Sequence, residues 1–188
     1  MSYRETEIKL PIADPSAVRS RLEALGAKVK KERHFEDNRV LDLADHRLRT
    51  NGKLLRLRVT GDGSNSGLLT FKGRGKISDG TKDREEVECT VSDPDHLIRI
   101  FEELGFKESF RYQKYRTVYR IDRVELEFCV DETPIGNFVE LEGDIEQIHV
   151  YAEKLGFQRS QYITDSYSML YLKWCHDHNI QPSHMIFS

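Results

Sequence analysis

Residues 5–10 read ETEIKL, a stretch in which polar and apolar side chains alternate. A period of two is that of a β-strand, so Glu5, Glu7 and Lys9 share one face while Ile8 and Leu10 share the other. In an ordinary half-buried strand the polar face carries isolated polar groups towards water. Here every position on that face is charged, and this feature decides how the rest of the chain is interpreted.

The same alternation recurs in the later segments that read as strands. Carboxylates two residues apart repel and raise each other's pKa, so a cation is expected to offset them. The charged residues on these faces are Arg56, Arg58, Lys72, Arg84, Glu86, Glu88, Lys114, Arg116, Arg120, Glu125, Glu127, Asp131, Glu140 and Glu142.

Helix signals separate the strands. An aspartate precedes each of three segments, at about 14–25, 93–104 and 143–155, and a Leu-Gly pair ends each one. A shift of 79 residues superposes the first segment on the second, which indicates a duplicated unit. A fourth helix is predicted over 165–174. Residues 1–178 are predicted to form one domain, and 179–188 a loose tail. The predicted strands are 3–10, 28–41, 53–60, 67–74, 84–91, 107–121, 124–131 and 136–142, with a turn at 61–67 and a hairpin or mobile loop at 73–80.

Closing these strands into a barrel explains the pattern. For any single strand, a solvated face of salt bridges is an adequate explanation, but that explanation does not account for the repeated carboxylate pairs. In a closed barrel of about eight strands the apolar positions face outward against helices and the charged positions line a lumen with space for one small ligand. Unpaired buried ions are costly, so this lumen should hold water and a charged guest. Arginine and lysine suit a polyphosphate, and carboxylates suit Mg²⁺ or Mn²⁺.

Composition excludes several classes of protein. The 188 residues include 29 Lys and Arg and 32 Asp and Glu, for a net charge of −3, so a nucleic-acid partner is not expected. No apolar run approaches the roughly 20 residues of a membrane span. The three cysteines are far apart and lack CxxC spacing, which favours a reducing cytosol. Either a monomer or a homodimer is compatible with the chain.

The motifs occur in the order of a known family. The segment 5–9 resembles the ExExK signature of the CYTH, or triphosphate tunnel metalloenzyme, superfamily, and 35–42 resembles the second-strand motif of its class IV adenylyl cyclase-like members. Asp131, with Pro134 and Gly136 after it, also fits. The further matching segments are Leu55–Arg58, Thr70–Lys72, Arg84–Glu88, Lys114–Arg116 and Val139–Glu142.

The resemblance implies an α+β fold, a closed eight-stranded antiparallel barrel with helices packed outside. It implies that Mg²⁺ or Mn²⁺ is bound by Glu5, Glu7, Glu88, Asp131, Glu140 and Glu142. It implies that a triphosphate is bound by Lys9, Arg56, Arg58, Lys72, Arg84, Lys114 and Arg116. The catalytic residues it implies are Lys9, Lys72 and Glu86.

Three functions remain open at this point. The leading hypothesis is a metal-dependent triphosphatase acting on inorganic or organic triphosphate. The alternatives are a class IV-type adenylyl cyclase, which converts ATP to cyclic AMP and pyrophosphate, and a non-catalytic polyphosphate- or nucleotide-binding module. The second-strand motif lacks the tyrosine of thiamine triphosphatase-like members. Trp174, the only tryptophan, lies near the C-terminus, so no aromatic clamp for an adenine or a thiazolium is evident. Glu7→Gln is expected to abolish turnover and to leave the fold intact or more stable.

Overall fold

The structure, a computed structural model, describes residues 3–61 and 66–188. Within these ranges one antiparallel sheet contains nine strands, and all but one of them are longer than five residues. The strands are β1 (Tyr3–Ile12), β2 (Lys28–Leu43), β3 (Leu54–Thr60), β4 (Gly67–Lys72), β5 (Lys76–Ser78), β6 (Thr81–Val91), β7 (Phe106–Arg120), β8 (Leu126–Thr133) and β9 (Gly136–Gly143). The predicted turn at 61–67 lies mostly outside the described residues.

Eight of these strands close into a barrel. Their order is β1-β9-β8-β7-β2-β3-β4-β6, and β6 pairs with β1 again, where Glu5 lies opposite Arg84. The short β5 lies outside this ring and forms a hairpin with β6, so the segment predicted as a hairpin or mobile loop is a hairpin. The predicted α+β fold, a closed eight-stranded antiparallel barrel with helices outside, is confirmed.

The three helices predicted at about 14–25, 93–104 and 143–155 begin and end at the predicted signals. The fourth, predicted over 165–174, spans Tyr167–Asp177, and the short helix at Arg47–Thr50 was not predicted. Asp14 and Asp93 accept hydrogen bonds from backbone N–H groups of the first turn of their helices. Gly26 and Gly105 follow the helix ends with φ of 85° and 87°, a conformation that side chains disfavour. The helices are α1 (Pro15–Ala24), α2 (Arg47–Thr50), α3 (Pro94–Glu103), α4 (Ile145–Lys154) and α5 (Tyr167–Asp177), with a short 3₁₀ turn at Arg159–Gln161.

The apolar core lies between the barrel and two of these helices. Ile8 and Leu10 on β1 are fully buried, and they belong to one cluster with Leu22 of α1 and with Ile148 and Ala152 of α4. The apolar face of the first strand therefore points outward, towards the helices. It follows that the charged face of the same strand points into the barrel.

The prediction of a loose tail at 179–188 is wrong. Met185 is only 1% exposed and forms a parallel bridge with Tyr112 on β7. Its N–H donates to the carbonyl of Arg111 at 3.0 Å, and its carbonyl accepts from the N–H of Gln113 at 2.8 Å. No sequence pattern indicates this contact, because one methionine among mostly polar residues has no periodicity.

Candidate functional site: the charged interior of the barrel

The interior of the barrel holds a cavity of about 880 Å³. Residues from all eight barrel strands line it, and most of them are charged. Of the predicted site residues, Asp131 alone does not line this cavity. Those that do are Glu5, Glu7, Lys9, Arg56, Arg58, Lys72, Arg84, Glu86, Glu88, Lys114, Arg116, Glu140 and Glu142.

Three carboxyl groups crowd together on one side of the cavity. Glu5 shares hydrogen bonds with Glu86 and Glu142, and Lys72 Nζ lies 2.5 Å from Glu5 Oε2 and 2.7 Å from Glu86 Oε2. Burial and the adjacent Glu5 raise the pKa of Glu86 to about 8 and raise the pKa of Glu142 well above its usual value. Burial opposes the charge of Glu5 as well, but these hydrogen bonds and Lys72 hold its pKa below the usual value. Arg84 Nε also lies 3.9 Å from Glu5 Oε2, beyond hydrogen-bonding distance, so the three carboxyl groups outnumber the two cations beside them.

A second group of carboxylates is already neutralised. Lys9 Nζ lies 3.4 Å from Glu7 and 3.3 Å from Glu140, and Arg84 Nη2 lies 3.5 Å from Glu7. Burial opposes ionisation of both carboxyl groups, but Lys9 and its cationic neighbours hold their pKa values below the usual range. Arg116 also forms an ion pair with Glu140. The predicted metal ligands in the cavity therefore include members of the crowded carboxyl cluster, Glu5 and Glu142, and carboxylates already paired with lysine or arginine, Glu7 and Glu140.

The donor set fits a hard divalent cation. Within residues 3–61 and 66–188 no group of three His, Cys, Asp or Glu side chains has the arrangement of a formed metal site. Yet Glu5, Glu86 and Glu142 bring carboxyl oxygens together on neighbouring strands, and the raised pKa values of Glu86 and Glu142 reflect burial and the adjacent Glu5, which a bound cation would offset. Glu88 lies nearer the rim, with 42% of its side chain exposed, and accepts a hydrogen bond from Thr70.

Two arginines that line the cavity have guanidinium donors left unused by the described residues. Arg56 donates to Thr70 Oγ1 at 3.1 Å and to the Tyr112 hydroxyl at 3.3 Å, but its buried Nε has no hydrogen-bond partner among the described residues. The buried Nε of Arg84 lacks one as well within that part of the chain. Buried donors are nearly always paired in a finished site, so these two mark positions for a ligand oxygen.

Asp131 orients two of the cationic side chains, Arg116 and Lys114. Its side chain is fully buried, and it accepts two hydrogen bonds from Arg116 at 2.6 Å and one each from Lys114 at 2.8 Å and Tyr167 at 2.7 Å. A carboxylate with four such bonds has little capacity left for a metal ion. The geometry thus favours a role in orienting Arg116 and Lys114 over the predicted role as a metal ligand.

Several polar residues of the site were not predicted. Glu36 pairs with Arg58 at 3.3 Å, and Asn38 accepts from Arg58 at 2.9 Å. Their places on β2, at alternating positions of the second-strand motif, were the available signal. Tyr167 was predicted as part of a packed helix face, but its ring lies 5.0 Å from Lys114 Nζ and its hydroxyl bonds to Asp131. A helical tyrosine offers no sequence pattern that distinguishes these two roles.

Comparisons with known proteins agree with this architecture. The chain is 34% identical over 146 residues to a protein of Methanocaldococcus jannaschii named "Putative adenylate cyclase", covering 77% of this chain and 79% of that protein. A solved structure from Vibrio parahaemolyticus, also named a "putative adenylate cyclase", has a TM-score of 0.77 at 17% identity and covers 90% of this chain and 98% of its own. A Hippeastrum protein named a "putative adenylyl cyclase" that "reveals a dominant" triphosphatase activity has a TM-score of 0.64 at 22% identity, with 95% and 97% coverage.

These structural matches show the shared fold. Among the described residues no helix has the length and apolar character needed to cross a membrane. The family model for the CYTH domain matches residues 3–167, which is most of the chain. The chain therefore belongs to the CYTH domain family.

Proposed function

We propose that the protein is a divalent-metal-dependent triphosphatase that binds its substrate inside the barrel and hydrolyses the terminal phosphoanhydride. One observation carries the proposal: the cavity contains guanidinium donors without a hydrogen-bond partner among the described residues, together with a carboxyl cluster in which the pKa values of Glu86 and Glu142 are raised. A metal–triphosphate complex supplies both missing partners, because its oxygens accept hydrogen bonds and its cation neutralises carboxylates.

The cationic residues bind the triphosphate. Arginine offers bidentate donors to phosphate oxygens, whereas lysine acts as a point charge. Asp131 and Glu36 hold several of these side chains before a ligand arrives, which lowers the cost of ordering them. The proposed binding residues are Lys9, Arg56, Arg58, Lys72, Arg84, Lys114 and Arg116.

The carboxylates hold the metal ion, Mg²⁺ or Mn²⁺. When bound, the cation supplies charge neutralisation at the phosphate oxygens. Glu5 and Glu142 are the foremost ligands because they belong to the undercompensated cluster. Glu7 and Glu140, and Glu88 at the rim, complete the proposed acidic set, with the first two also anchoring Lys9.

Three residues of this chain are proposed to act on the reacting groups. Lys72 lies between Glu5 and Glu86 and is placed to neutralise charge that develops on a phosphoryl oxygen. Lys9, buried between Glu7 and Glu140, does the same from β1. Glu86, in its ionised form, is the proposed acceptor of the proton that the attacking water loses.

A second function, that of an adenylyl cyclase, has support of its own. The relative from Methanocaldococcus jannaschii is named as such, and the segment 35–42 resembles the class IV motif. In cyclisation the ribose 3′-hydroxyl attacks the α-phosphorus, and the same cationic residues would hold the pyrophosphate that leaves. A non-catalytic polyphosphate- or nucleotide-binding role is less favoured, because binding alone does not require the crowded carboxyl cluster.

One incubation separates these functions. The protein is mixed with Mg²⁺ or Mn²⁺ and either ATP, inorganic triphosphate or thiamine triphosphate, and phosphate, pyrophosphate and cyclic AMP are measured. Release of phosphate from at least one triphosphate, abolished by EDTA, is the expected result. Pyrophosphate together with cyclic AMP would replace the proposal by the cyclase. Binding without any product would favour the non-catalytic role.

A further inference from the structure

The inward-facing rows of three adjacent strands turn from charged to apolar at the same end of the cavity. On β3, Leu54 precedes Arg56 in the inward row. Val40 on β2 lies opposite Arg56 on one side and opposite Phe110 of β7 on the other. Tyr112 follows Phe110 in the inward row of β7. All of these side chains line the cavity.

These apolar side chains form a wall that remains accessible. Val40, Leu54 and Phe110 are each only partly buried although they lie beside charged groups. The Phe110 ring stacks on Tyr112, with centroids 5.8 Å apart and planes at 21°, and it lies 5.7 Å from the ring of Tyr171 on α5. Apolar and aromatic walls with a few polar groups are typical of sites for organic ligands. Inorganic triphosphate has no apolar part that could pack against such a wall.

The same cavity also contains hydroxyl groups. Ser166 and Ser168, at the start of α5, line the same cavity and lie 2.8 Å apart at their oxygens. Hydroxyls both donate and accept hydrogen bonds, so they can match the mixed polar edge of a heterocycle. The nearest cation to the wall is Arg56, which donates to the Tyr112 hydroxyl at 3.3 Å. A positively charged organic group would be repelled there.

From this juxtaposition we propose that the wall of Val40, Leu54, Phe110 and Tyr112 binds the uncharged planar base of a nucleoside triphosphate. The inference rests on the proposed function, because the wall begins where the triphosphate-binding side chains end. It narrows the substrate class from any triphosphate to a nucleoside triphosphate. It also corrects the expectation, based on Trp174 alone, that no aromatic surface is available for a base.

Isothermal titration tests the substrate class on the unaltered protein. With Mg²⁺ present, the dissociation constants of inorganic triphosphate, thiamine triphosphate and a hydrolysis-resistant β,γ-imido analogue of ATP are compared. We expect the nucleotide analogue to bind about tenfold more tightly than inorganic triphosphate, as stacking of one base provides. Equal or tighter binding of either of the other two ligands would overturn the inference and leave the proposed function standing. No binding of any ligand would overturn both.

Two variants locate the effect. Phe110→Ala should weaken binding of the nucleotide analogue about tenfold and change that of inorganic triphosphate less than twofold. Phe35→Ala is the matched control, since Phe35 lies on the outward face of β2 and packs on Tyr115. It should alter neither constant. Equal weakening of both ligands by Phe110→Ala, or no weakening of either, would contradict a base-binding wall.

Discussion

Glu7 and Glu86 are both glutamates on neighbouring strands, but their surroundings shift their pKa values in opposite directions. Lys9 and Arg84 surround Glu7 and hold its pKa below the usual value against burial. Burial and Glu5 raise the pKa of Glu86 to about 8. The pairing of Glu7 with Lys9 and Arg84 therefore argues against the expectation that Glu7→Gln leaves the fold intact or more stable. Glu86→Gln is the substitution expected to relieve repulsion, because Glu86 lies beside the carboxyl group of Glu5.

The two glutamine variants should differ in stability. In EDTA, Glu7→Gln should lower the free energy of unfolding by about 1 to 3 kcal/mol, because it leaves buried cations short of a partner. Glu86→Gln should raise it. The pKa of Glu86 lies above its usual value in the folded state, so its stabilising contribution is lost as pH rises from 4.5 through 8, and the gain should be larger at pH 9 than at pH 6. Urea unfolding at both pH values measures this, and a stabilised Glu7→Gln would contradict the assignment.

Asp131 acts, in this account, on its cationic neighbours. Asp131→Asn should lower the free energy of unfolding by about 3 to 5 kcal/mol, because Arg116 and Lys114 lose a buried counterion. It should also weaken triphosphate binding while leaving Mn²⁺ affinity unchanged. Glu132→Gln, one residue further along β8, removes only partly exposed ion pairs with Arg19 and Arg33 and serves as the control. A loss of Mn²⁺ affinity in Asp131→Asn would restore the ligand role.

At the scale of elements, each barrel strand separates two environments. The outward positions of β1 pack on α1 and α4, and its inward positions are charged. In the usual half-buried strand the apolar face packs on the core and the polar face is exposed to water. Here the apolar face packs on helices outside the barrel, and the charged face lines the cavity inside it. Because the side-chain period is two, a slip of one residue in any strand would place charges in the apolar core. The register of the barrel is thus specified by the same side chains that form the site.

The C-terminal segment packs along β7, with backbone hydrogen bonds and the buried side chain of Met185. Met185→Ala should lower the free energy of unfolding by about 2 to 5 kcal/mol, because Met185 is almost fully buried beside aromatic residues of β7 and α5. Ile186, the next residue, is 43% exposed, and Ile186→Ala should change stability by less than about 0.5 kcal/mol. Chemical denaturation compares the two. Equal effects would mean that the segment is as loose as its sequence indicated.

At the scale of the whole molecule, the sequence predicted the barrel well and the site in part. Alternation and helix-end signals are local properties, so strands, helices and the inward set from Glu5 to Glu142 could be identified without coordinates. The partners of each charge could not, because they depend on which strands become neighbours. Asp131 illustrates this limit, since its parity matched a lumen residue but Arg116, Lys114 and Tyr167 enclose it. The packing of Met185 and the aromatic wall are equally non-local.

The charge balance of the interior is the property that joins these scales. The chain as a whole is nearly neutral, with a net charge of −3, yet the cavity contains arginine donors without a partner among the described residues beside a crowded cluster of carboxyl groups. Burial makes this arrangement costly unless a ligand completes it. The ligand must therefore present anionic oxygens to Arg56 and Arg84 and a cation to the carboxyl cluster.

Anomalous diffraction at the manganese absorption edge, from crystals grown with Mn²⁺ and inorganic triphosphate, tests this requirement most directly. The expected result is a manganese peak against the carboxylates of Glu5 and Glu142, and triphosphate oxygens within hydrogen-bond distance of Nε of Arg56 and Arg84. Triphosphate bound outside the barrel, or manganese held away from that cluster, would contradict it.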